Sequence, residues 1–192
     1  MSQADALREL ISALRSIGVR YLVGGSQASS VLGVPRSTLD SDLVVELTVN
    51  AVPTLVAALA GNWYIDPDLA RESIARAQSF NIVHMPSVHK IDLFPATTAF
   101  HRSQLERAVM RTLHPLGGEV ECLVPTAEDM ILAKLQWYQL GGLVSDRQWS
   151  DIIGMLYMNP HLDDAYLTHW AAQLGVTDLL HKAIAESHTD FD

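Results

Sequence analysis

Apolar residues recur at helical spacing at Leu7, Leu10, Ile11, Leu14 and Ile17 until Gly18 interrupts them, which predicts an amphipathic helix over residues 3–17. A short β-prone run follows at 19–23. Gly24-Gly25-Ser26 then leads into a small-residue stretch, 27–32, of helical character, so this region reads as strand, glycine turn and helix start. Residues 39–46 read as a second strand with Asp40 and Asp42 near its start, and a helix follows over 52–59. Two further β-prone runs, 78–84 and 89–94, flank Met85-Pro86-Ser87-Val88 and predict a hairpin. In the second run the alternation turns Lys90 and Asp92 to one face and Ile91 and Leu93 to the other. Beyond Pro95 the character changes. After a short strand at 119–123, helical patterns cover 126–140, 146–158, 163–174 and 176–185. Thr126 with Asp129 resembles a capping box, and Gly141-Gly142 closes that helix. The expected architecture is α+β, with a small mixed sheet in an α/β core over residues 1–123 and a helical bundle over 124–192 packed on it.

Composition narrows the function classes. The chain has 192 residues, 48% hydrophobic and 18% charged, which suits a globule with one well-buried core and a helical appendage. Lys plus Arg number 13 against 22 Asp plus Glu, a net charge of −9 that disfavours a broad nucleic-acid groove. One cysteine, Cys122, makes neither an internal disulfide nor a zinc site, and the charges in the first twenty residues do not read as a secretory leader. No stretch approaches the roughly 18 apolar residues of a membrane span. A cytoplasmic protein with no membrane association is expected.

Three local features could carry chemistry. At Gly24-Gly25-Ser26, glycine permits positive φ and lets backbone amides approach a phosphate at a helix start, although a plain tight turn would look the same. Asp40 and Asp42 lie two apart on the expected strand, so the pleat directs both to one face. Two carboxylates about 5 Å apart repel by about 3 kcal/mol at an effective dielectric near 20, so the pair calls for a cation, a proton or open solvent. Asp92 is the candidate third acid. Three acids around two magnesium ions suit in-line phosphoryl or nucleotidyl transfer. The eight histidines lack the i, i+4 helical pairing of a zinc protease. Trp137, Tyr138, Trp149 and Tyr157 fit core or interface positions better than a base-stacking platform. Arg102, Arg107 and Arg111, read on one helix, are spread around it.

Taken together, Val23-Gly24-Gly25-Ser26, thirteen intervening residues, Asp40-Ser41-Asp42-Leu43 and a later strand Asp92 resemble the nucleotidyltransferase-fold superfamily that shares a core with DNA polymerase β. Arg36 to Asp42, Lys90-Ile91-Asp92 and the tail Pro125-Thr126-Ala127-Glu128-Asp129 with Lys134, Arg147 and Asp151 look like its bacterial toxin and antitoxin branch. The resemblance implies catalytic and metal-binding roles for Asp40, Asp42 and Asp92, the last as ligand or as base. It implies nucleotide contacts from Gly24, Gly25, Ser26, Arg36, Thr38, Lys90, Lys134 and Asp151. Two departures stand out: the Ser26–Asp40 gap is long, and Ser41 replaces the usual apolar residue, so its buried hydroxyl must find a partner or cost about 1–3 kcal/mol.

The function this implies is Mg²⁺- or Mn²⁺-dependent transfer of a nucleoside monophosphate from a nucleoside triphosphate to a hydroxyl or phosphate acceptor. Two ions are expected, a protein or small-molecule acceptor is favoured over RNA, and a cognate toxin or antitoxin protein is a candidate partner. The alternative is a catalytically silent nucleotide- or partner-binding module of the same fold. A sugar-nucleotide glycosyltransferase would explain Asp-x-Asp but leaves Gly25, Ser26 and Asp92 without a role.

Overall fold

In the computed structural model, residues 1–35, 38 and 40–188 are described. They divide into two units, one drawn from 1–27 and 37–124, the other from 28–36 and 125–192. The first unit opens with α1 (Gln3–Ser16), which Ser2 and Asp5 start with a reciprocal capping box and whose Leu7, Leu10 and Leu14 are fully buried. Gly18 (φ 70) ends it and feeds β1 (Tyr21–Val23). The first turn of α2 (Gly25–Leu32) belongs to this unit, followed by β2 (Ser41–Val45), α3 (Val52–Ala58), β3 (Trp63–Tyr64) and α4 (Pro67–Ala75). Next come β4 (Phe80–His84), β5 (His89–Pro95), α5 (Ala99–Arg107), β6 (Val109–Leu113) and β7 (Val120–Val124).

The main sheet has the order β1-β2-β5-β4-β3, in which only β2 and β5 run parallel. β6 and β7 form a separate antiparallel ribbon. Alternation sorts the strands into two faces. Leu43 and Val45 of β2, Ile91 and Leu93 of β5, and Phe80 and Ile82 of β4 are buried, while Asp42, Lys90, Asp92 and Asn81 turn the other way. The expected 84–89 hairpin is present, with His84 opposite His89. Glu9 of α1 accepts hydrogen bonds from Trp63 Nε1 at 2.9 Å and from the Asn62 amide, which ties the β3 edge to the helix.

Two expectations change. Asp40 precedes β2 instead of lying on it, so the pleat relates Asp42 to Asp92 and not to Asp40. Arg111 lies on β6, apart from Arg102 and Arg107 on α5, because the 109–113 run pairs with β7. Thr126 caps its helix as expected, accepting from the Asp129 N–H, and Asp129 Oδ2 in turn accepts from the Thr126 hydroxyl at 3.0 Å.

The second unit is helical: the end of α2, then α6 (Ala127–Leu140), α7 (Asp146–Met158), α8 (Asp164–Leu174) and α9 (Thr177–Ser187). The sequence pattern located all four of the latter to within a few residues. Trp149 of α7 donates to Glu186 of α9 at 2.6 Å, and the Lys182 ammonium sits 4.9 Å from its ring centre, so this tryptophan joins helices. Among the described residues no helix is long and apolar enough to cross a membrane.

Candidate active site

The open face of the sheet in the first unit concentrates polar groups at one place. Asp42 and Asp92 are partners in the parallel β2–β5 register, on neighbouring strands spaced about 4.8 Å apart, and Asn81 is the partner of Asp92 on its other side. Asn81 carries no sequence signal beyond a polar position in an alternating strand, and only the register reveals it as a neighbour of the acids.

Gly25 brings the turn against this row. Its φ is +58, and a Cβ built there would lie 1.9 Å from Asp42 Oδ2 and 2.8 Å from Asp42 Cγ. No side chain fits that gap. Gly24 N–H donates to the Asp42 carbonyl at 2.8 Å, which extends the β1–β2 ladder into the turn. The amino end of α2, carrying Ser26, therefore begins beside the Asp42 carboxylate. That end also carries partial positive charge.

Lys90 supplies the local counter-charge. Its Nζ lies 2.7 Å from Asp92 Oδ2, with the Asp92 side chain 25% exposed. The hydrogen bond to Asp92 holds the ammonium above the ordinary lysine range against a smaller opposing effect of burial, and the charges of Asp92, Asp40 and Asp42 add to it. All three acids thus act on one cation. Asp40 itself is exposed, and its N–H donates to Thr38 Oγ1 at 3.3 Å, which gives Thr38 a local role in shaping the approach to β2. Arg36 lies outside the described residues.

Whether these groups suit magnesium follows from their chemistry. Among the described residues no three His, Cys, Asp or Glu side chains form a group that could hold a metal ion. Magnesium, however, is usually held by one or two carboxylates together with substrate phosphates and water, not by an all-protein cage. The cross-strand pair Asp42 and Asp92 offers hard oxygen donors of that kind on the face where Lys90 already answers the demand for positive charge. The donor set fits.

Behind the acids, on the covered face, Ser41 has the partners its burial requires. Gln27 Nε2 donates to Ser41 Oγ at 2.8 Å, and Ser41 Oγ lies 2.8 Å from His89 Nε2. Burial holds the His89 pKa below the ordinary histidine value, with the neighbouring His84 adding to the effect and Asp40 opposing it, so the ring is neutral near pH 7. Cys122 is fully buried, its thiol pushed up to about 12 by burial, and is chemically inert there.

Lys134 and Asp151 belong to the second unit. Lys134 Nζ lies 2.8 Å from Asp151 Oδ2, and the two side chains are 8% and 10% exposed. Lys134→Met removes one member of this buried pair and is expected to lower unfolding free energy by about 3 kcal/mol in chemical denaturation. A loss under about 1 kcal/mol would mean that the pair is effectively solvated.

No protein-family model matches the chain, and no curated protein matches it in sequence. Solved structures do match. The crystal structure of an antigenic nucleotidyltransferase-like protein from Paracoccidioides brasiliensis is similar over 96% of this chain and 94% of its own, at 18% identity and a TM-score of 0.51. That of ANT(2")-Ia in complex with adenylyl-2"-tobramycin is similar over 90% of this chain and 97% of its own, at 16% identity and a TM-score of 0.53.

Proposed function

We propose that this chain, which has the nucleotidyltransferase fold, transfers a nucleoside monophosphate from a nucleoside triphosphate to a hydroxyl acceptor. The observation that carries the reading is the meeting of Gly25 with Asp42 and of Asp42 with Asp92 on one face, from three segments far apart in sequence. Magnesium, when bound by Asp42 and Asp92 with the triphosphate, supplies charge neutralisation of the phosphates and of the leaving pyrophosphate. The start of α2 at Gly25 and Ser26 offers its partial positive charge to the phosphates. The acceptor oxygen forms a bond to the α-phosphorus, the α–β bridging bond breaks, pyrophosphate leaves, and the acceptor proton passes to a carboxylate of the pair.

A small, cationic, hydroxyl-bearing acceptor fits best. The net charge of −9 attracts such a molecule and repels extended RNA, and a fold neighbour holds an adenylylated tobramycin. The silent-module reading draws support from one observation, the Lys90 ammonium already neutralising Asp92.

Each α-labelled triphosphate, supplied with magnesium or manganese and a panel of hydroxyl-bearing amines, alcohols and cell extract, tests both readings. Label should move to a small-molecule acceptor with stoichiometric pyrophosphate release, and chelation should stop it. Triphosphate binding without any transfer would make the chain a silent module.

A further inference from the structure

The bonded polar groups on the covered face take no part in the chemistry above. Gln27, Ser41 and His89 are 6%, 1% and 5% exposed. None of them can meet a substrate. Burying three polar side chains is unfavourable unless they bond one another, and apolar residues of similar shape would serve the core at least as well. Gln27 even keeps a buried Oε1 with no partner among the described residues. Stability therefore does not account for the set.

Position does. Gln27 follows Gly25 and Ser26 in the first turn of α2, Ser41 lies between Asp40 and Asp42 on the way into β2, and His89 opens β5 one residue before Lys90, in the strand of Asp92. The Ser41 hydroxyl is the joint: its oxygen accepts from Gln27, and it shares a hydrogen bond with His89 Nε2. Alternation points Ser41 away from the face that carries Asp42, so a bond on one side of the sheet sets the placement of a carboxylate on the other. Hydrogen bonds are directional where apolar packing is not, and the Gly25–Asp42 gap has no slack to absorb a shift.

We infer that Gln27, Ser41 and His89 are positioning residues, a buried hydrogen-bonded bolt that fixes the glycine turn of α2 against the carboxylates of β2 and β5. The inference rests on the proposed nucleotidyl transfer.

Ser41→Thr and Ser41→Val test it, since the two side chains have nearly the same shape and differ in the hydroxyl. The Thr variant should keep kcat, per folded molecule, within about threefold of the unaltered protein. The Val variant should lose about 30-fold or more in kcat, with a much smaller change in the triphosphate KM, because a misplacement near 1 Å already costs about 100-fold. Gln27→Met, which keeps length and removes the donor, should reproduce the loss, and the double variant Gln27→Met with Ser41→Val should be little worse than either alone. Gln27→Met alone keeps the test open if Ser41→Val does not fold. Equal kcat for Thr and Val, or strictly additive losses, would overturn the bolt while leaving the transfer reading intact. An unaltered protein that transfers nothing would overturn the transfer reading, and the inference with it.

Discussion

Asp42→Asn is expected to lower nucleotidyl transfer by about 10³-fold at saturating magnesium, the scale of removing one charge-stabilising group from a preorganised site. The substitution keeps the shape of the side chain and removes its charge, so Gly25, whose absent Cβ would sit 1.9 Å from Asp42 Oδ2, keeps its fit. Asp42 is also the acid that β pairing brings directly beside Asp92, so its loss removes half of the proposed metal-binding pair. Unfolding free energy should change by no more than about 1 kcal/mol, which separates the chemical effect from misfolding. Pyrophosphate release and denaturation on the same preparation give the two numbers. Transfer that survives within about threefold would remove Asp42 from the chemistry and return attention to Asp92 and Asp40.

Gly25→Ala comes next in size. An L side chain at φ +58 costs about 1 kcal/mol by itself, and the added carbon collides with the Asp42 carboxylate, so either α2 or Asp42 must retreat. Transfer should fall by about 100-fold as the turn and the carboxylate separate. Gly18→Ala is the matched control: its φ is +70 and nothing lies within 4 Å of the added carbon. It should lose about 1 kcal/mol of stability and leave transfer unchanged. If both variants lose stability equally and neither loses transfer, the close approach at Gly25 has no functional meaning.

Much of the secondary structure is legible without coordinates. The hairpin at 84–89 and the opposite facing of Asp92 and Leu93 follow from a period of two, and α6 to α9 follow from helical spacing, with Thr126 marking the start of α6. The bounds of α5 do not follow from the pattern, because Phe100 and Leu105 are its only buried large apolar residues, too few to declare a face. α4 had a readable start, with Asp66 accepting from the Asp68 and Leu69 amides and Pro67 at the first position, but its buried stripe is short. Asp40 stands one residue before β2, and a sequence pattern alone does not mark where pairing begins.

The candidate site divides along the same line. Local chemistry, a turn that only glycine can make at position 25 and carboxylates on strand-forming segments at 42 and 92, is written in short windows of the chain and needs no partner to be seen. The pairing of Asp42 with Asp92, the arrival of Asn81 beside them, the bond of Lys90 to Asp92 and the Gln27–Ser41–His89 bolt exist only in the folded molecule. The contacts between strands depend on register, and register is decided by which arrangement buries Leu43, Ile82, Ile91 and Leu93 on one face, a collective choice that no single segment carries.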